Sequence, residues 1–446
     1  MNYNQLAQTA QSVLEKNWNG HFTKPAPSLY PHQWNWDSGF IALGVAHYHW
    51  ERAEAELRHL FQAQWSTGML PQIVFGNDPE AKYFPGPDFW QTQDVPAAPT
   101  HIHTSGITQP PVFGFILWEM YQIAKDKDQA KAFLQEMYPK VVALHRYFYE
   151  FRDPKEEGLV YIRHPWEAGT DNSPTWDTIL EKLEVSQLYI PPYQRKDLQN
   201  PDAAKHRPTD LDYDRYVYLV DLYRRNNYDD KAIEKECPFK IVDPLFNAVL
   251  TWSNEALIKI GELLNEDVTE IVQWYELTTH MMNEKLWDEE YGIYNGWDLV
   301  EDKVIPIETS SGLMPLIGGI PEIGQALEIL DLLSSEHFAG NLDNPVYLCP
   351  TYSLTCENFD YSKYWRGPVW MNMNWMLYHG LRRYETDEFL EVAERIKKDS
   401  LDLLNKYGFY EYFDPRKNAT ANAGYGTNQF SWSAALCLAW LKDDNT

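Results

Sequence analysis

Cysteine is scarce in this chain of 446 residues, and long apolar runs are missing. Only four cysteines are present, they are widely spaced, and none forms a Cys-x-x-Cys pair, which argues against a disulfide framework. No apolar stretch approaches the roughly 18 residues that a membrane-spanning helix needs. The first residues lack the basic start, apolar centre and cleavage site of a secretory signal, and their spacing predicts an amphipathic helix. These features predict a soluble protein of the reducing cytoplasm.

Basic residues are few compared with acidic ones: 38 Lys and Arg oppose 65 Asp and Glu, for a formal net charge of −27. A nucleic-acid partner is therefore not expected, because phosphate backbones are bound by Lys and Arg clusters that the chain does not show. Gly-x-Ser-x-Gly, phosphate-binding and dinucleotide-binding motifs are also missing. His101 and His103 have no further His or Cys at ligand spacing, so we interpret them as loop histidines and expect neither a metal nor another cofactor.

Aromatic residues, in contrast, are abundant: they make up 15% of the chain, with 18 Trp and 29 Tyr. Flat rings stack on the C–H faces of sugars, and the polar tips of Trp and Tyr bind hydroxyl groups. The composition therefore favours a carbohydrate as the small-molecule partner.

Apolar residues recur at i, i+3 and i+4 spacing through most of the chain, which predicts a mainly α fold. Apolar helices are predicted to start every roughly 60 to 70 residues, with more charged helices between them. The predicted starts lie near Trp36, Gln109, Ser173, Pro244, Ser311, Pro368 and Phe430. Six or seven such pairs suit an (α/α)6 barrel, whose inner helices begin around one cavity. An open α-solenoid for protein partners is the alternative, but its short turns would not need the Trp, Asp and Pro that precede these starts.

Two long connections, residues 72–108 and 186–216, contain proline and lack clear periodicity. Loops of this length inside a compact domain are usually functional lids or disordered segments, and their aromatic residues together with Arg207 favour lids. No stretch resembles a linker between independent domains. We therefore predict a single catalytic domain over residues 1–446 with two lid-like loops.

Four segments combine aromatic rings with carboxyl, amide or guanidinium groups near predicted helix starts or turns. They are LYPHQWNWDSGF (29–40), HPWEAGTDNSPTWD (164–177), SKYWRGPVWMNMNWM (362–376) and YGFYEYFDPRKN (407–418). Glycoside hydrolysis needs two carboxyl groups, one protonated and one ionised. When carboxyl groups lie in loops flanked by aromatic rings, their pKa values can be shifted apart, so that one is protonated while the other is ionised.

Each carboxyl also has a simpler interpretation. Asp171, which precedes Asn172, Ser173 and Pro174, is typical of a helix N-cap, and Asp37 could be another. Glu411 could be a solvated residue of a turn. Taken singly, these structural roles are favoured, and only the four segments together favour chemistry.

The chain resembles a known family through six blocks that occur in order over nearly its whole length. The blocks are YPHQWNWDSGF, SGITQPPV, EAGTDNSPTWD, RPTDLDYDRY, YWRGPVWMNMNW, and YGFYEYFDP continuing to FSWSAAL. They resemble glycoside hydrolase family 63, most closely its bacterial mannosylglycerate and glucosylglycerate hydrolases. The resemblance implies an (α/α)6 barrel, an inverting mechanism and no metal cofactor.

The resemblance also implies roles for individual residues. Asp171 matches the general acid and Glu411 the general base that activates water. The residues that match the sugar pocket are Tyr30, Trp34, Asp37, Gln109, Trp166, Gly169, Trp365 and Trp370. The residues that match the binding site of the glycerate carboxylate are Arg207, Tyr213 and Tyr364.

Arg207 is physically suited to this role, because a chain of net charge −27 needs a local cation to hold an anionic substrate. The alternative is a surface arginine paired with Asp210 or Asp212. The leading hypothesis is hydrolysis of the α-glycosidic bond of glucosylglycerate or mannosylglycerate. The alternatives are an α-glucosidase or α-mannosidase for neutral glycosides or short oligosaccharides, and a sugar-binding barrel without catalytic activity.

Overall fold

The computed structural model describes residues 3–199, 204–419 and 423–443, in which helices predominate and strands are short. The helices are α1 Tyr3–Asn17, α2 Asn35–Ala46, α3 Trp50–Phe61, α4 Pro87–Trp90, α5 Phe113–Ile123, α6 Lys127–Phe151, α7 Asp177–Leu180, α8 Asp210–Arg225, α9 Asp230–Glu236, α10 Pro244–Leu264, α11 Thr269–Lys285, α12 Ile323–Ser334, α13 Met371–Arg382, α14 Asp387–Tyr407 and α15 Ser431–Asp443. Segments of 3-10 helix cover Thr92–Asp94, Pro165–Glu167, Pro174–Trp176, Val185–Gln187, Asp197–Gln199 and Ser310–Gly318. The prediction of a mainly α fold is confirmed.

The strands form small antiparallel sheets in the connections between helices. They are β1 Gln33–Trp34, β2 Ile73–Val74, β3 Ile241–Val242, β4 Trp287–Asp288, β5 Ile293–Tyr294, β6 Gly296–Asp298, β7 Lys303–Ile305, β8 Tyr410–Phe413 and β9 Gly424–Asn428. They pair as β1–β2, β3–β6–β7, β4–β5 and β8–β9. These pairings tie together loops that lie far apart in the sequence.

Six apolar elements pack side by side in a closed ring. The order of contacts is α2, α5, α10, the 3-10 segment Ser310–Gly318, α13, α15 and again α2. A second helix packs against each of them: α3, α6, α11, α12, α14 and α1 in the same order. The sequence accounts for the two layers, since nearly every residue of α2 is buried whereas α14 alternates buried and exposed positions.

The ring closes where α15 meets α2. At this contact Gly44 lies so close to the last helix that an added Cβ would be 2.4 Å from the Cα of Ala435. Because the ring closes here, the block that begins with YPHQWNWDSGF and the block that ends with FSWSAAL lie on the same side of the ring.

The predicted start of a long helix near Ser173 is wrong. Ser173 caps only the 3-10 turn Pro174–Trp176, and the single-turn helix α7 ends at Leu180. Beyond Leu180 the chain forms only turns and the 3-10 segment Val185–Gln187, and two prolines at 191 and 192 then exclude a helix at that point. The ring is therefore built without an inner helix from this region.

The other predicted starts lie within four residues of the observed ones, with proline explaining the largest shift. Helix α5 begins at Phe113 instead of near Gln109, because Pro110 and Pro111 disfavour a helical conformation in the residues before them. The element near Ser311 is a 3-10 segment instead of an α-helix, and Pro315 inside it removes a backbone donor.

The second long connection is shorter than predicted. A reciprocal capping box between Thr209 and Asp212 begins helix α8 at Asp210, so residues 210–216 are helical. The first connection, residues 72–108, is mostly irregular and contains only β2, α4 and a 3-10 turn. Across the described parts of the chain, no helix has both the length and the apolar character for crossing a bilayer.

Candidate active site

All thirteen residues that the sequence analysis assigned to catalysis or binding line one pocket. They are Tyr30, Trp34, Asp37, Gln109, Trp166, Gly169, Asp171, Arg207, Tyr213, Tyr364, Trp365, Trp370 and Glu411. The pocket opens at the end of the ring where α2, α5, α13 and α15 begin. The loops that lead into these helices supply most of its wall.

Asp171 lies in the loop between the 3-10 turns Pro165–Glu167 and Pro174–Trp176, and it does not cap a helix. Ser173 makes the capping hydrogen bond instead, so the N-cap interpretation of Asp171 is wrong. The hydroxyl of Tyr364 donates to Oδ2 of Asp171 at 3.2 Å, and the hydroxyl of Tyr216 donates to its backbone carbonyl at 3.1 Å. The loop is also fixed by Asn172, whose Oδ1 accepts from the backbone of Trp365 at 2.9 Å.

The surroundings of Asp171 favour its protonated form. Burial raises its pKa from 3.8 to about 7, and the negative charge of Glu411 acts in the same direction. The Arg207 guanidinium and the Tyr364 hydroxyl act in the opposite direction. Asp171 is therefore a carboxyl that holds its proton to near-neutral pH.

Glu411 lies on β8 and is fully buried, so it is not a solvated turn residue. The Tyr30 hydroxyl donates to Oε1 at 2.7 Å, and Arg207 Nη2 donates to Oε2 at 2.8 Å. Burial raises the pKa of Glu411 above its ordinary value, while Arg207 and Tyr30 limit the rise. The neighbouring strand approaches closely, because a Cβ on Gly426 would be 2.2 Å from Oε2.

Arg207 is buried and pairs with Glu411, so its interpretation as a surface arginine paired with Asp210 or Asp212 is wrong. Asp210 pairs instead with Arg195 at 2.9 Å. The Arg207 guanidinium also donates to the Tyr30 hydroxyl at 2.8 Å and lies 4.3 Å from the centre of the Tyr364 ring. This one cation thus contacts the partners of both carboxyls.

Indole and phenol rings form the remaining wall of the pocket. Trp365 stacks on Trp370 with ring centres 3.7 Å apart, and Tyr30 meets Trp34 edge-on at 5.2 Å. The Trp370 indole donates to the backbone of Tyr364 at 3.0 Å, which fixes the orientation of the stacked pair. Rigid rings of this kind can hold the face of a sugar.

Two polar side chains extend the floor of the pocket. Asp37, in the first turn of α2, is buried; burial raises its pKa well above 3.8, and the charges of Glu411 and Asp171 add to the rise. Its helix is capped at Trp34, so Asp37 is not the N-cap. Gln109 accepts from the backbone of Trp36 at 3.4 Å, which leaves its amide donors for a ligand.

A buried ion network lies behind the wall. Arg152 donates two hydrogen bonds of 2.9 Å to the carboxylate of Glu167, and the backbone of Arg163 donates a third at 2.8 Å. Burial alone would raise the pKa of Glu167, but Arg152 lowers it to about 2. Glu167 also accepts from the backbone of Thr108 at 3.4 Å and so joins the Gln109 loop to the Asp171 loop.

Further residues line the pocket that were not predicted from the sequence. Tyr83 and Asp197 come from the two long connections, and Trp36 and Trp432 lie inside or beside the quoted segments. The Tyr83 ring meets Trp34 edge-on at 5.0 Å. The lid prediction indicated that the loops containing Tyr83 and Asp197 lie near the site. It could not identify these two residues, because an irregular loop has no periodicity from which the position of a side chain can be predicted.

Metal ligands do not cluster in the described ranges: no three His, Cys, Asp or Glu side chains come together there as a metal would need. His101 and His103 are both exposed. The site is instead built from carboxyls, one guanidinium and aromatic rings.

A pocket that opposes a protonated carboxyl to an ion-paired carboxylate beside stacked indoles is typical of glycoside hydrolases. The sequence model of one protein family, the mannosylglycerate hydrolase MGH1-like glycoside hydrolase domain, matches residues 30–433. The chain belongs to this family of enzymes.

Individual relatives agree with this assignment. A mannosylglycerate hydrolase of Thermus thermophilus is 44% identical over 97% of this chain and 100% of that protein. A glucosylglycerate hydrolase of Mycolicibacterium hassiacum is 34% identical over 98% of each chain. A crystal structure of the GH63 mannosylglycerate hydrolase from Thermus thermophilus with Tris and D-glycerate has a TM-score of 0.88, 44% identity, and coverage of 98% of this chain and 99% of that one. The predicted membership of glycoside hydrolase family 63 is confirmed.

Proposed function

We propose that this enzyme hydrolyses the α-glycosidic bond of glucosylglycerate or mannosylglycerate, with inversion, to give a hexose and glycerate. The observation that carries the proposal is the contrast between the two carboxyls of the pocket. Asp171 has a pKa of about 7 and can donate a proton, whereas Glu411 is held beside Arg207, which favours its ionised form. Relatives named for both substrates support the choice of aglycone.

In this mechanism Asp171 protonates the glycosidic oxygen and so releases glycerate. Glu411 accepts a proton from a water molecule that attacks the anomeric carbon from the opposite face. Inverting enzymes separate these carboxyl groups by roughly 6.5 to 9.5 Å to admit the water. Tyr364 contacts Asp171, Arg207 contacts Glu411, and these two side chains contact each other, so they bridge the two carboxyl groups.

The sugar and the aglycone occupy different parts of the pocket. The proposed sugar ligands are Tyr30, Trp34, Asp37, Gln109, Trp166, Gly169, Trp365 and Trp370. Arg207, Tyr213 and Tyr364 would hold the glycerate carboxylate, for which Arg207 offers a charged, planar donor. We also propose that the closed ring of six inner and six outer elements is an (α/α)6 barrel and that the chain is one catalytic domain. The loops near residues 72–108 and 186–216 would act as its lids, with the start of α8 forming the end of the second.

Hexose release from purified glucosylglycerate and mannosylglycerate tests the proposal directly. We expect release from at least one of them, and proton NMR of the first product formed should show the β-anomer, because inversion reverses the α configuration. If neither compound releases hexose, the substrate assignment is wrong. Release of the α-anomer would exclude inversion.

Hydrolysis of neutral glycosides is the alternative, and the variant Arg207→Ala separates the two. A glycerate-bearing substrate should lose most of its turnover, because a buried charged hydrogen bond is removed. A neutral α-glycoside should also lose turnover, because Glu411 loses the cation that favours its ionised form, but it should lose clearly less than the glycerate-bearing substrate. A sugar-binding barrel without catalysis predicts no turnover of any α-glycoside by the unmodified protein.

A further inference from the structure

Arg207 has an unused donor. An arginine carries five N–H groups. Here Nη1 donates to Tyr30 and Nη2 to Glu411, whereas Nε has no hydrogen-bond partner within the described residues although it is buried. A buried donor without a partner costs free energy, so this N–H is available to an acceptor atom of a ligand.

Arg207 is also the cation that acts on both carboxyls. Its charge favours the ionised forms of Asp171 and Glu411, and in each case it is the largest influence after burial. An anion that binds Arg207 would cancel this influence without touching either carboxyl. The proton affinity of both groups would then rise, and at pH 7 the proton would be taken up by Asp171, whose pKa is about 7.

We propose that Arg207 couples recognition of the aglycone to protonation of the acid. The carboxylate of the substrate takes the free Nε–H edge, offsets the charge of the guanidinium and thereby draws a proton from solvent onto Asp171. Asp171 is fully protonated only when a glycerate-bearing ligand is bound. A neutral aglycone binds without this effect, so the substrate's charge selects at the chemical step as well as at binding. This inference rests on the proposed function of the site.

The neighbours of Asp171 leave this role to Arg207. Charged and titratable groups from every wall act on the carboxyl or on its nearest tyrosines; they are Arg207, Glu411, Asp37, Tyr364, Tyr30, Tyr83, Tyr213, Tyr216, Asp197, Arg195, Asp212, Asp177 and Arg366. Arg195 is already paired with Asp197 and Asp210, and Arg366 with Asp177. The charges of these two arginines are offset by carboxylates other than Asp171 and Glu411. Arg207, in contrast, acts on Asp171 and Glu411 themselves.

Calorimetric titration of the intact enzyme with D-glycerate tests the coupling without any turnover. Binding is measured at pH 7 in MOPS and in imidazole, and the difference in heat between the two buffers gives the protons taken up. Tris is avoided because a relative's crystal structure contains it together with D-glycerate. Since Asp171 is about half protonated at pH 7, we expect an uptake of about 0.3 to 0.5 proton for each glycerate bound.

Two controls identify the group that takes the proton. Asp171→Asn, a nearly isosteric change, should bind glycerate with almost no proton uptake, and Asp177→Asn, at the start of α7 and outside the pocket, should behave like the unmodified enzyme. Glycerol, which lacks the carboxylate, should cause no uptake. Glycerate binding without proton uptake, uptake that persists in Asp171→Asn, or the absence of glycerate binding overturns the proposal.

A kinetic measurement separates this idea from the proposed function itself. For a hexosylglycerate, the high-pH limb of kcat should lie about one pH unit above that of kcat/KM, because the first reports the complex and the second the free enzyme. For the methyl α-glycoside of the same hexose the two limbs should coincide. Equal limbs for both substrates contradict the coupling even if hydrolysis is observed, whereas a lack of hydrolysis alongside glycerate-linked proton uptake contradicts only the proposed substrate.

Discussion

Asp171 shows how strongly surroundings change one residue. An ordinary aspartate is ionised at neutral pH, but burial and the charge of Glu411 raise the pKa of Asp171 to about 7. Asp177, six positions later at the start of α7, pairs with Arg366 and does not line the pocket. The two aspartates therefore form a matched pair for testing the role of Asp171.

Asp171→Asn should lower kcat for hexosylglycerate by about 100- to 10,000-fold, because general acid catalysis typically contributes that much. Asp177→Asn should retain most of the activity. Steady-state hexose release from both variants, with circular dichroism to confirm folding, provides the measurement. Similar losses of kcat in the two variants would mean that any substitution in this segment lowers activity, and would contradict a specific role of the Asp171 carboxyl.

The pH dependence follows from the same carboxyl. The proposed acid must be protonated, so kcat/KM should fall about tenfold for each pH unit well above the pKa of about 7. The low-pH limb should reflect Glu411, which must be ionised and whose pKa is raised above 4.5. A profile of kcat/KM between pH 4 and 9 tests this, and a flat profile up to pH 9 would contradict the assignment of Asp171.

At the scale of elements, loops position the chemistry. The backbone of Gly169 has a φ of +75°, which residues with a side chain rarely adopt. An added Cβ would also lie 2.5 Å from the Trp36 ring. The loop that carries Asp171 can therefore lie against this indole only with glycine at this position.

Gly169→Ala should lower kcat/KM by about 10- to 100-fold, because a displacement of about 1 Å in a catalytic group has effects of this size. Gly20→Ala is the matched control: its φ of +99° adds similar strain, but nothing lies within 4 Å of the new Cβ. Hexose release from the two variants should differ clearly. Equal activities would show that the contact with Trp36 does not position the loop.

Glu167 holds the Asp171 loop from behind. Glu167→Gln should lower the free energy of unfolding by about 3 to 5 kcal/mol, because the buried Arg152 loses its counter-ion. Glu270→Gln breaks the exposed pair with Arg146 and should cost about 0 to 1 kcal/mol. Urea unfolding at pH 7 measures both changes.

The sign of the pH effect provides an independent check on Glu167. The pKa of Glu167 is lowered from 4.5 to about 2 in the folded chain, so its contribution is complete above pH 4.5 and disappears as the pH falls toward 2. The difference between the unmodified protein and Glu167→Gln should therefore shrink over this range. A difference that grows on acidification would contradict the ion-pair explanation.

At the scale of the whole molecule, the ring must close between α2 and α15. Gly44→Ala should destabilise the protein by about 1 to 3 kcal/mol, because the new Cβ would overlap the backbone of Ala435 and push the two helices apart. Gly324→Ala, within helix α12 and with open space around its Cβ, should cause no loss. Thermal unfolding of both variants gives the comparison, and equal stabilities would show that the closure tolerates a wider spacing.

The periodic parts of the fold were predictable because helix formation depends on local spacing of apolar residues. Helices α2, α10 and α15 begin within one residue of the predicted starts. The start near Ser173 was wrong, because the helix that forms there ends after one turn at Leu180 and only turns and a 3-10 segment follow it. The lengths of the irregular connections were less predictable, since they depend on capping and tertiary contacts.

The sequence by itself determined the helical pairs, the aromatic composition and the ordered blocks that identify the family, because each depends on neighbouring residues. The thirteen candidate residues lie around one pocket, and their individual roles remain predictions. Only the tertiary structure decided that Arg207 pairs with Glu411, which lies 204 positions away, and that Asp171 keeps its proton near pH 7. Both depend on burial and on charges brought together by the closed ring, and neither is encoded in local sequence.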